Sequence, residues 1–159
     1  MKMEFKFTEE NIQKVEAVLK KYPEKKAAVM SVLYLAQDQN GYISGEVMKE
    51  VAFLCEMPEA DVLGVVTFYT MYHKKPMGKY HIQVCTNVSC MLRGAYDIYG
   101  KVKDKLGIDN GGVTPDHQFS LEEVECMGSC GTAPMIAVNE DYFENLDVPS
   151  TLKILESLK

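Results

Sequence analysis

The sequence has little of what would seat it in a bilayer or on nucleic acid. Its longest apolar stretch, Ala27 to Ala36, is interrupted by Ser31 and is about half as long as a membrane-spanning helix. Direct membrane insertion is not expected. The opening residues "MKMEFKFTEEN" lack the apolar core of a secretory signal, so a cytoplasmic setting is expected. No basic stripe is present: lysines are mixed with acids in "KKYPEKK" and "KVKDK", and the formal net charge is -6 over 159 residues. Phosphate backbones are bound by clustered positive charge, so nucleic acid is not an expected partner. A glycine-rich dinucleotide fingerprint is missing, as are internal repeats and low-complexity segments. His73, His81 and His117 do not stand in pairs with cysteines, which leaves out a mixed histidine–cysteine iron centre. No two cysteines are separated by the two residues of a redox-active dithiol. The cysteine count is five, and an odd count argues against a disulfide framework.

What is present divides into two patterns. The first half reads as helices. Thr8 is placed to cap a helix with Glu9 and Glu10 in its first turn. Its stripe is Ile12, Val15, Leu19 and Tyr22, and Pro23 ends it. A second helix, from about residue 24 to 39, is apolar nearly all round and closes at Asn40–Gly41. Ser44 caps a third, with Val47, Val51, Leu54 and Cys55 on one face. A fourth runs from about 59 to 71, with Pro58 as an early residue. Four helices with short connections predict a compact bundle.

After "HKKPMGK" the period changes. "KYHIQVC" alternates like a strand, and a helical pattern returns over 92–106. "GIDNGGVTPDHQ" is a loop, "FSLEEVEC" and "MIAVN" are strands, "DYFENL" is a weaker one, and a last helix covers about 149–158. The order β-α-β-β(-β)-α predicts a parallel pair joined by a crossover helix, with a hairpin alongside. The class is therefore α+β, with a helical domain over 1–75 and a mixed domain over 76–159.

Cys85 and Cys90 in "VCTNVSC", and Cys126 and Cys130 in "VECMGSC", each stand at the end of a predicted strand, where α/β sheets place their ligands. Neighbouring strands would let four sulfurs converge. Four thiolates serve either a tetrahedral zinc or an iron–sulfur cluster. Zinc ribbons favour tight two-residue knuckles; the looser gaps here suit a wider two-iron cluster, one pair to each iron. Gly128 and Gly131 would let backbone N–H groups approach a buried anion, and the helix start after Cys90 offers further donors. Arg93 is either a charge near the sulfurs or a solvated helix residue. Met91 and Met127 are either a shield for the sulfurs or core filler. Cys55 reads as a small buried hydrophobe and His81 as a strand-face residue. Glu122, Glu123 and Glu125 are either an acidic shell that would disfavour added negative charge, and so point to a low reduction potential, or a solvated strand edge.

"GKYHIQVCTNVSCMLRGA" and "VECMGSCGTAPMIAVN" resemble the paired cysteine segments of the thioredoxin-like two-iron ferredoxins. With "LYLAQDQNGYIS" and "VLGVVTFYTMY", the chain is similar over nearly its full length to the E-subunit family of NADH:quinone oxidoreductase (complex I). The resemblance implies an N-terminal four-helix bundle followed by a thioredoxin-like α/β ferredoxin domain. It implies one [2Fe–2S] cluster on Cys85, Cys90, Cys126 and Cys130, exchanging electrons with the FMN of a partner flavoprotein that oxidises NADH. FMN and NADH would sit on that partner, not on this chain. It makes Pro134 a candidate cis-proline. A peripheral place on the inner membrane, within a larger complex, follows. One departure is local: "TPDHQF" puts His117 where family members often have the glycine of an Asp-Gly turn. Two alternatives stand beside this reading. One is the equivalent component of an NAD(P)-linked hydrogenase or formate dehydrogenase. The other is a zinc-stapled interaction adaptor.

Overall fold

The computed structural model describes residues 5–158. The chain divides into two compact units, Met1–Pro76 and Met77–Lys159, and the fold is mixed helix and sheet.

In the first unit the helices are α1 (Glu9–Leu19), α2 (Val29–Asn40), α3 (Gly45–Leu54) and α4 (Glu59–Phe68). Thr8 accepts from the Asn11 N–H at the start of α1, and Ser44 accepts from the Val47 N–H at the start of α3. Each side-chain oxygen satisfies an N–H that the helix leaves without a partner. Gly41 ends α2 at φ 80, a left-handed conformation that glycine adopts without steric cost. Val32, Leu33, Ala36, Val47, Val51, Cys55 and Val62 form the middle of the core.

Four boundaries differ from the sequence expectation. The first helix ends at Leu19, capped by Lys20, so Tyr22 lies beyond it and Pro23 is not what stops it. The second helix begins as a 3₁₀ turn, Lys25–Ala28, and becomes α-helical only at Val29. Pro58 stands at the cap of α4, outside the helix. That helix ends at Phe68, three residues early, because the following chain is held by distant partners. The Gln37 side chain donates to the Met71 carbonyl and accepts from the His73 N–H. The His73 carbonyl accepts from Ile43, and the buried Tyr72 hydroxyl donates to the Met30 carbonyl. Those bonds replace the ones a longer helix would have made.

The second unit is built on a four-stranded sheet in the order β2-β1-β3-β4. Its strands are β1 (Tyr80–Cys85), β2 (Phe119–Val124), β3 (Ile136–Val138) and β4 (Asp141–Phe143). β1 and β2 are parallel, with Tyr80 opposite Phe119 and Cys85 opposite Val124. β1–β3 and β3–β4 are antiparallel. The β1–β2 crossover carries α5 (Val88–Leu92) and α6 (Ala95–Leu106), and the chain closes with α7 (Val148–Ser157). The single helix expected over 92–106 is thus broken at Gly94, whose φ of 93 no α-helix accommodates. Ile82, Val84 and Leu121 of the strands pack with Ile98 and Val102 of α6 and Leu155 of α7. Asp147 and Ser150 cap α7 reciprocally, satisfying two free N–H groups at once. The Ala133–Pro134 bond is cis.

His117 does adopt the left-handed backbone that its position in the turn demands, at φ 56. Its N–H donates to the Thr114 carbonyl, and its own carbonyl accepts from Lys79. The glycine geometry is kept with a residue that bears a Cβ. We expect His117→Gly to stabilise the fold by no more than about 1 kcal/mol, strain relief being offset by unfolded-state entropy. His117→Val should destabilise it by about 1–2 kcal/mol. Urea unfolding of both variants reads the difference, and equal midpoints would contradict it.

Burial pushes the Cys55 thiol from 9.0 up to about 11 and raises the Tyr72 phenol as well. An acid kept neutral by the fold contributes stability that is whole below its unfolded pKa and lost as pH rises through the folded one. Between about pH 9 and 11 the melting temperature of the wild type should therefore fall more steeply than that of Cys55→Ala, as followed by circular dichroism.

Candidate metal centre

The two cysteine segments leave the same end of the sheet. Cys85 is the last residue of β1, and Cys126 follows β2 by two residues. Because β1 and β2 are parallel neighbours in register, both loops start side by side. Side chains then tie them together. The Thr86 hydroxyl donates to Glu123 at 2.8 Å, and the Asn87 amide donates to Glu125. Asn87 also caps α5, its Oδ1 accepting from the Val88 N–H, so Cys90 is placed from both directions.

The four sulfurs form two pairs of unlike exposure. Cys85 and Cys90 are buried, against Ala95, Ala133, Met135 and the half-buried Met127. Cys126 and Cys130 are exposed, with their sulfurs 3.3 Å apart, too far for a disulfide. Burial pushes the Cys90 thiol up to about 11, helped by its hydrogen bond with Cys85 and opposed by the Met135 N–H donating to its sulfur. The Gly128 N–H donates to the Cys126 sulfur at 3.4 Å and holds that thiol below the usual range; its hydrogen bond with Cys130 acts in the same direction. Cys130 moves the other way, raised by the bond to Cys126, while the Ser89 hydroxyl donating to its sulfur opposes the rise. The two sulfurs share one hydrogen bond, in which either can donate. Electrostatic interaction also joins Cys130 to Cys85 and to Cys90, which links the two pairs.

Among the described residues no group of three or more His, Cys, Asp or Glu side chains closes around a position for a single metal ion. Two pairs of thiols of this kind would suit a two-iron cluster, to which they would supply thiolate donors. Donors for its negative charge are in place at Gly128, Met135 and Ser89. Gly128 has φ +90, which requires glycine. A Cβ at Gly131 would meet no protein atom within 4 Å, so nothing in the protein's own packing demands glycine there.

Other residues singled out in the sequence fall outside this arrangement. Cys55 is fully buried in the first unit. Arg93 is exposed at the end of α5. Glu122, Glu123 and Glu125 all hold hydrogen bonds, Glu122 to Gln83 and to the buried His81. His81 Nδ1 lies 2.9 Å from Ser120 Oγ and Nε2 lies 3.1 Å from Glu122. Ser89 and the Met135 N–H were missed by sequence reasoning. Ser89 adjoins Cys90 and could have been noticed; a backbone donor from a third segment leaves no mark in composition.

In protein freed of metal, Cys126 should be alkylated fastest, being exposed and the more acidic of its pair. Cys90 and Cys55 should react slowest. The advantage of Cys126 over Cys130 should shrink as pH rises past the ordinary thiol range. Mass spectrometry of iodoacetamide-treated samples orders the sites, and faster labelling of Cys90 than of Cys126 would contradict the geometry.

The sequence pattern of the family described as thioredoxin-like [2Fe–2S] ferredoxin matches residues 15–159. Over 158 residues the chain is 44% identical to the mitochondrial NADH dehydrogenase (ubiquinone) flavoprotein 2 of Dictyostelium discoideum, a match covering 98% of this chain and 64% of that relative. It is also 44% identical over 158 residues to the E-subunit of NADH-quinone oxidoreductase from Rickettsia bellii, covering 98% of this chain and 95% of that one. Among solved structures, an NAD+-reducing [NiFe]-hydrogenase in its H2-reduced state shares the fold, with a TM-score of 0.69 at 17% identity; the likeness covers 80% of this chain and 22% of that chain. With two thiol pairs at neighbouring strand ends and a family pattern that runs through both cysteine segments, the chain belongs to the thioredoxin-like [2Fe–2S] ferredoxins.

Proposed function

We propose that this protein is the electron-carrying E-subunit of an NADH-quinone oxidoreductase, with one [2Fe–2S] cluster on Cys85, Cys90, Cys126 and Cys130. One observation carries the reading: two thiol pairs stand at adjacent ends of parallel strands, in a chain 44% identical to such an E-subunit along nearly its whole length. When bound, the cluster supplies one-electron acceptance and donation. The protein's own groups do the rest. Gly128, Met135 and Ser89 donate hydrogen bonds to sulfur and so hold negative charge. Ala133, Met135 and Met127 keep water from the inner pair. Thr86–Glu123 and Asn87–Glu125 hold the two loops together.

The partner on this reading is the flavoprotein of the same complex, which binds NADH and FMN; this chain binds neither. Residues 76–159 form the cluster domain. Residues 1–75, with α1 to α4 as a four-helix bundle, form a docking domain. No helix among the described residues is long and apolar enough to cross a membrane, and the chain takes a peripheral place in the complex. A hydrogenase-type role has only the shared fold behind it, at 17% identity.

The test is metal analysis with spectroscopy. Protein purified without oxygen should hold about two iron and two sulfide per chain, be reddish-brown, and bleach with dithionite at a low potential, in the region of about -400 mV. Serine at 85, 90, 126 or 130 should abolish or alter the spectrum, and Cys55→Ser should leave it unchanged. A colourless protein holding zinc would replace this function with that of a stapled adaptor.

A further inference from the structure

The outer thiol pair is built to close on itself, and the inner pair is not. The Cys126 and Cys130 sulfurs lie 3.3 Å apart, and a disulfide needs about 2.05 Å. A small shift of the loop between them spans that gap. Nothing braces the loop at its glycines, where a Cβ on Gly128 or Gly131 would meet no protein atom within 4 Å. Cys126 stands in irregular chain, and Cys130 opens a short 3₁₀ turn, Cys130–Thr132. Cys85 ends β1 and Cys90 stands in α5, so regular backbone hydrogen bonds hold both of the inner cysteines in place.

Access separates the pairs a second time. Cys126 and Cys130 are exposed. Cys85 and Cys90 are each 2% exposed, behind Ala133 and Met135, and Cys55 is fully buried in the first unit. Thiol–disulfide exchange needs the dissolved disulfide to reach the attacking sulfur. Only the outer pair combines that access with a neighbouring thiol in place to finish the reaction.

We propose that, in the chain not yet holding a cluster, Cys126 and Cys130 form a reversible disulfide, with a low-molecular-weight disulfide such as oxidised glutathione as the oxidant. The bond withholds two of the four thiols from iron while Cys85 and Cys90 stay reduced. One outer thiol, as its thiolate, attacks a glutathione sulfur; the glutathione S–S bond breaks, a mixed disulfide forms and one glutathione leaves. The other outer thiol gives its proton to solvent and attacks the cysteine sulfur of the mixed disulfide, releasing the second glutathione. Two electrons pass from the two cysteine sulfurs to the two glutathione sulfurs, which take up the two protons. A sulfur bound to iron is not free for this exchange, so disulfide and cluster exclude each other. The effect on loading rests on the electron-carrier reading above; the disulfide itself does not.

The experiment uses the full-length chain freed of metal without oxygen, its fold followed by circular dichroism. The chain is incubated with oxidised glutathione, remaining thiols are blocked with iodoacetamide in denaturant, and the peptides are mapped by mass spectrometry. A link between residues 126 and 130 is expected, with 55, 85 and 90 alkylated. Cys126→Ser and Cys130→Ser should each stop at a glutathione adduct on the remaining outer thiol. Ferrous iron and sulfide added to the oxidised chain should give at most about a tenth of the cluster absorbance that the reduced chain gains, and dithiothreitol should restore it. A link to either inner cysteine, or adducts that never close, overturns the proposal. So does a metal-free chain that unfolds and oxidises at all its thiols alike, or a 126–130 disulfide that leaves loading at the reduced level. A reduced chain that gains no cluster sinks the electron-carrier reading and the claim on loading with it, and the peptide map alone then decides the disulfide.

Discussion

The parallel pairing of β1 with β2 is the constraint on which the chemistry of the second unit depends. Two segments about forty residues apart in sequence leave the sheet next to each other only because Cys85 lies opposite Val124. A parallel pair cannot be closed by a tight turn and needs a long crossover, supplied here by α5, α6 and the loop that follows. A slip of one residue would turn every side chain of a strand to the other face. It would also break the Thr86–Glu123 and Asn87–Glu125 links that hold the loops together.

The sheet then separates two duties. One face, with Ile82, Val84 and Leu121, is given to the core under α6 and α7. The strand ends are left for chemistry, as in other α/β sheets. The other face is satisfied by polar contacts: His81 meets Ser120 and Glu122, and Gln83 donates to Glu122. The carboxylates nearest the cysteine loops are thus tied up in the scaffold. Glu125, beside Cys126, acts on that thiol through its charge.

Local signals were legible in the sequence where the cause is local. The caps at Thr8 and Ser44, the left-handed stop at Gly41 and the alternation of "KYHIQV" all reappear in the structure. So does the order of strands and helices that implied a parallel pair with a hairpin. Features with a distant cause were not legible. The early end of α4 is set by Gln37, more than thirty residues away. The break at Gly94 was hidden because the apolar period runs on across it. Around the sulfurs, the spacing drew attention to the cysteines and to Gly128. It carried no sign of the Met135 N–H, which reaches Cys90 from a third segment.

The unequal exposure of the two thiol pairs gives the centre a direction. Cys85 and Cys90 lie inward, and Cys126 and Cys130 face solvent. On the proposed ligand set, Cys126 and Cys130 would be the thiols that iron meets first on reaching an already folded chain. Chelators and oxidants would meet the same side, which would make the 126–130 loop both the door for assembly and the first point of failure.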